Sequence, residues 1–119
     1  MVFAQVLTFE KKNRFRPVFL VPYYTEDADK ACTSFKVIQY GQEGYDHRSK
    51  IPTNLESEEY PCLISIRDKN IQKKVSQVQL VRVDGAGKLV DIRERCGAAG
   101  ATRDILGSAH TDHLFLMWK

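Results

Sequence analysis

Two kinds of side chain able to hold a polyanion are interleaved near the start of the chain. Lys11, Lys12, Arg14 and Arg16 place four cations within six residues, with Phe15 among them. Tyr23 and Tyr24 follow at the end of the next apolar run. A single nucleic-acid strand is held by cations that meet its phosphates and by rings on which unpaired bases stack. Lys73 and Lys74, with Arg67 and Lys69 close by and Asp68 as the local offset, form a second basic turn. Tyr45, His47, Arg48 and Lys50 repeat the mixture in a longer polar stretch. These residues point to single-stranded RNA or DNA as a partner. The competing interpretation is a solvated mixed surface with Phe15 in the core, since most charge runs serve solubility.

Metal and nucleophile chemistry have weaker footing. Cys96, His110 and His113 are zinc-ligand types, with Asp112 between the histidines. Structural zinc takes four ligands, usually in tight pairs, and the chain has no CxxC or HxxxH pair. In an extended segment His110 and His113 would point to opposite faces. No metal site is expected. No GxxxxGK[ST] or GxGxxG loop is present to cradle phosphates, so no cofactor is expected either. A cysteine nucleophile needs a histidine in reach. Cys32 and Cys62 fall on apolar faces, which leaves Cys96, beside Gly97, as the thiol expected to be accessible. Carboxylates such as Asp46, Asp91 and Glu94 have no spacing that pairs them. A small hydrolase or metal-dependent enzyme is therefore the least favoured of three functions.

The elements that must position these groups are mostly strands. Residues 2–9 and 17–24 are rich in β-branched and aromatic residues. Pro22 cannot donate to a ladder, so it places the second strand at an edge or a bulge. Thr25 reads as a helix cap, with Glu26, Asp27 and Asp29 in the first turn and Ala28, Ala31, Cys32 and Phe35 on one face. A short helix over 25–35 is predicted, followed by a strand over 36–40. Residues 41–60 lack any period and read as a long loop. Strand 61–67 alternates, with Cys62, Ile64 and Ile66 on one side. Strands at 75–83 and 88–94 flank the hairpin signal Asp84-Gly85-Ala86-Gly87. Residues 96–100 form a small-residue loop, Thr102 caps a helical turn to Leu106, and 113–118 is the last strand.

About seven strands and one or two short helices predict a mainly β chain, an antiparallel barrel or sandwich. Residues 2–9 and 113–118 are apolar on both faces. Such strands are either covered twice or contribute to a homodimer or partner contact, with Trp118 as an anchor. A protein-interaction or self-assembling module is thus the second function to weigh.

The bulk properties agree with this picture. The 119 residues are 43% hydrophobic and 28% charged, enough to bury a core and the size of one domain spanning 1–119. Eighteen basic against fifteen acidic residues leave a net charge of +3, mild for a duplex binder. No apolar run reaches the length of a membrane span. The first residues lack a signal-peptide pattern, and neither end carries a lipidation motif. Three widely spaced cysteines are not a disulfide framework. A cytoplasmic or nuclear setting with reduced thiols follows. The whole suits a small accessory or regulatory protein of the kind viruses encode.

Overall fold

A computed structural model of the chain describes residues 1–10, 19–52, 59–83, 93–94, 96–106 and 113–119. The described residues are mostly β. Seven strands form three small antiparallel sheets, and no closed barrel is made among them.

Strand β1 (Phe3–Glu10) pairs with β2 (Phe19–Thr25), and the register slips between Ala4 and Val6. Gln5 is the extra residue of this bulge, and a bulged residue is left out of the ladder. Its carbonyl is used elsewhere: it accepts from the Cys32 thiol at 3.0 Å and from Arg67 Nη2 at 2.7 Å. Ala4, Leu7, Phe9 and Leu20 turn inward to the main core. Val6, Phe19 and Tyr23 lie on the other face and are exposed. Among the described residues, strand β2 has β1 as its one strand neighbour, so Pro22 sits on an edge strand, where proline is tolerated.

Strands β3 (Ser34–Ile38) and β4 (Cys62–Ile66) form the second sheet. Phe35, Val37 and Leu63 share the face that packs into the main core. The expected inward face of the fourth strand is thus reversed: Ile64 and Ile66 are only partly buried. With a side-chain period of two, the pairing partner decides which alternate set goes inside. Here β3 brings Phe35 and Val37, which outweigh Lys36 opposite Ile64. Cys62 is buried nonetheless, beneath the loop that follows β3, where the Asp46 N–H points at its sulfur at 3.4 Å.

Strand β7 (His113–Trp118) is the centre of the third sheet, between β5 (Val78–Val83) and the two-residue β6 (Gly100–Ala101). One face gives Leu116, Leu114, Val78, Leu80 and Trp118 to the main core. The other packs Val83, Phe115 and Met117 against Cys96, Ala98 and Ala101. Both apolar faces of the last strand are therefore used inside the chain. The Trp118 indole meets Phe35 edge-on, with centroids 5.4 Å apart.

One closed ring of backbone bonds ties the three sheets together. Ala4 N–H donates to Val75 O, Val75 N–H to Cys32 O, and Cys32 N–H to Ala4 O, each at 2.8 Å. All three residues are buried, so each bond lies where an unpaired group would be costly.

Four local expectations are corrected. The helix over 25–35 is a single 3-10 turn, Ala28–Lys30, capped by Asp27 rather than Thr25. Strand β5 begins at Val78, not at residue 75. Arg93 and Glu94 are helical, not the end of a return strand, and Cys96 with them. This turn is closed by Gly97 at φ +63°, with Ala98 N–H on Arg93 O at 3.0 Å and Gly97 N–H on Glu94 O at 3.1 Å, a Schellman closure. Residues 102–106 are not helical; Asp104 Oδ1 there accepts from the Leu106 and Leu114 N–H groups instead. The hairpin at 84–87 lies outside the described residues.

Candidate nucleic-acid interface

The candidate interface lies where the end of β2, the start of β5 and the end of β7 line one cleft. Tyr24 ends the inner row of β2, opposite Ala4, and remains 47% exposed because the sheet stops there. It lines a cleft of about 260 Å³ together with residues 77–79, Cys96, Ala98 and residues 117–119. Lys119 is held by a reciprocal pair of backbone bonds with Gln77, at 2.9 and 3.0 Å. Its carbonyl also accepts from the Ser76 hydroxyl at 3.1 Å.

A second cleft of about 170 Å³ adjoins the first and shares two walls with it, Trp118 and Lys119. Lys73, Lys74, Ile71, Thr33, Val75 and Ala99 complete it. Lys74 Nζ donates to Ile71 O at 2.9 Å, which fixes the ammonium while leaving two of its hydrogens for another acceptor. A third cleft shares Lys74 and adds Arg67 and Lys69, with Asp29 and Asp68 diluting the charge. The clefts thus run from an exposed ring to a row of cations.

The predicted residues divide as follows. Tyr24, Lys73 and Lys74 are brought onto this run. Tyr23 is on the opposite face of β2 and 51% exposed, because consecutive strand residues point to opposite sides; the tyrosine pair does not act as one platform. Lys11, Lys12, Arg14, Phe15 and Arg16 lie outside the described residues. Trp118, Lys119, Gln77 and Gln79 were not marked for this surface by their sequence. Only the pairing of residue 77 with residue 119 puts them there, and no local pattern announces it.

The mixture at Tyr45, His47, Arg48 and Lys50 serves the loop itself. The Tyr45 hydroxyl donates to Tyr60 O at 2.6 Å, and the Tyr40, Tyr45 and His47 rings meet edge-on. Desolvation, then the Cys62 thiol and the Tyr40 phenol, push the Tyr45 hydroxyl up from its ordinary pKa. Asp46 caps the 3-10 turn His47–Ser49 by accepting from Arg48 N–H at 2.9 Å, and pairs with the Arg48 side chain at 3.3 Å. The Arg48 N–H bond leads the causes that hold its carboxyl below the usual carboxylate value.

The other candidate chemistries gather no site among the described residues. No group of three or more His, Cys, Asp or Glu side chains is close enough to hold a metal; His110 and Asp112 lie outside those residues. His113 Nδ1 meets Asp104 Oδ2 at 2.7 Å. Burial acts to raise the Asp104 pKa, but bonds from His113, Leu114 and Leu106 outweigh it, and the net shift is downward. The Cys32 thiol is buried and pushed up chiefly by desolvation, which leaves it inert. Cys96 is half-buried and lines the first cleft. The chain matches no family model, no curated protein and no solved structure.

Proposed function

We propose that this chain binds single-stranded RNA or DNA along the three adjoining clefts, as a small accessory or regulatory protein. The observation that carries the reading is the sharing of Trp118 and Lys119 by the first two clefts. It sets the Tyr24 ring and the side chains of Lys119, Lys73 and Lys74 on neighbouring clefts, within the span of one short strand of nucleic acid. Phosphates meet the lysines, and a base stacks on Tyr24. Lys11, Lys12, Arg14 and Arg16 extend the phosphate contacts, with Phe15 as a further stacking ring. The free thiols of Cys32, Cys62 and Cys96 suit a reducing cytoplasm or nucleus. Fluorescence anisotropy of a labelled single strand at low salt tests the proposal. Tyr24→Ala should weaken binding about tenfold, within the range for loss of one stacked base. Arg14→Ala with Arg16→Ala should weaken it further. Absence of binding by the wild-type protein at low salt removes the reading.

A second reading, a protein-interaction or self-assembling module, is favoured by the outer face of the β1–β2 sheet. Val6 lies directly across from Tyr23 there, and Phe19 lies further along the same row. All three are exposed, as at many contact sites. Light scattering decides it: a dimer that Tyr23→Ser with Phe19→Ser returns to monomer would support this reading, and a wild-type monomer would count against self-assembly.

A further inference from the structure

We infer that the first cleft is a slot for one unpaired nucleobase, held by its Watson–Crick edge against the open edge of β5; this rests on the nucleic-acid reading above. Among the described residues, strand β5 lies at the edge of its sheet, with β7 on one side. Gln77 exchanges both backbone bonds with Lys119, which makes 77–119 a hydrogen-bonded pair. In an antiparallel ladder the next pair, Val78 with Trp118, is then the kind whose N–H and C=O groups point away from each other. The Trp118 carbonyl accordingly turns outward to accept from Ala99 N–H at 2.7 Å. The Val78 N–H and C=O turn the opposite way, away from β7, and Val78 is one of the residues that line the cleft.

The cleft therefore offers a backbone donor and acceptor about one residue's span apart, beside the Tyr24 ring, with Met117 and Ala98 as apolar surface and Lys119 as a cation. Every nucleobase carries a donor next to an acceptor on its Watson–Crick edge: an amino group beside a ring nitrogen in adenine and cytosine, a ring N–H beside a carbonyl in guanine and uracil. One such edge fits the Val78 pair whatever the base. A base already paired in a duplex has no free edge to give. The volume of about 260 Å³ is just under that at which drug-sized sites begin, about 300 Å³, and suits one base rather than two. The slot selects single strands over duplexes without selecting sequence.

Trp118 is the one tryptophan of the chain, so its emission reports the slot directly. Three probes of equal length are titrated at low salt: an intact single strand, a strand of abasic nucleotides, and a duplex. The intact strand should change Trp118 emission and bind about tenfold more tightly than the abasic strand, as expected for one stacked base. The duplex should leave the emission unchanged. Val78→Pro, which removes the N–H at an edge position open to proline, and Tyr24→Ala should each bring the intact strand down to the abasic level. Equal affinity and equal emission change with intact and abasic strands would overturn the slot while leaving phosphate binding in place. No binding by any probe would overturn the nucleic-acid reading itself.

Discussion

Arg67 shows how a side chain chosen for its charge becomes a structural clamp. Its Nε donates to Lys30 O at 2.9 Å and its Nη2 to Gln5 O at 2.7 Å. The planar fork joins the bulge of β1 to the 3-10 turn before β3, and the lysine point charge cannot span both acceptors. Arg67→Lys should lower stability by about 1–2 kcal/mol, read as a reduced denaturant midpoint. An unchanged midpoint would mean that the two carbonyls find water at no cost. Asp104 acts at the same scale. Its pKa is lowered in the folded chain, so its contribution is complete above the unfolded carboxyl value of about 3.9 and is lost as pH falls through the lower folded value. Asp104→Ala should destabilise by about 1–2 kcal/mol at neutral pH. The gap between variant and wild type should close in acid below that window. A gap that persists at the acid limit would assign the effect to packing rather than to the charged carboxyl.

At the scale of elements, legibility followed burial and pairing. The last strand could be read at its exact bounds because HLFLMW is apolar on both faces and is packed on both. The helix over 25–35 failed for an identifiable reason. Ala28, Cys32 and Phe35 have helical spacing, but Phe35, Val37 and Ile38 belong to a strand paired with 62–66. Few residues then remain for a helix, and a helix that short is marginal by itself. The Cys32 N–H and C=O go to Ala4 and Val75, tertiary bonds that no local propensity could foretell. Gly100 is another element-level feature. It lies across from Trp118 in the β6–β7 pair, and a Cβ there would sit 2.7 Å from the indole Nε1. The ring covers the bare backbone, a glycine–aromatic pairing that shields the strand. Gly100→Ala should displace the indole and cost about 1–3 kcal/mol, with a shift in Trp118 emission. A stable variant with native emission would show that the ring moves aside freely.

Across the whole molecule, three small sheets meet at the ring of bonds through Ala4, Cys32 and Val75, and the clefts open beside that junction. The basic turns were legible as composition, and Tyr24 as one of a pair. The placing of Lys73 and Lys74 on a cleft next to that of Tyr24 was not, because it depends on the pairing of residue 77 with residue 119, which is set by long-range contacts. The same geometry makes Trp118 part of the core on one side and the divider between two clefts on the other. The most direct measurement of the central claim is single-strand affinity as a function of salt for the wild type and for Lys73→Ala with Lys74→Ala. Contacts by Lys119, Lys73 and Lys74 alone give a log–log slope of about −2 for a single strand, or roughly twentyfold weaker binding over a fourfold rise in salt. The double variant should bind more weakly and flatten the slope by about 1.4. A slope unchanged by the two substitutions, or affinity indifferent to salt, would contradict the account.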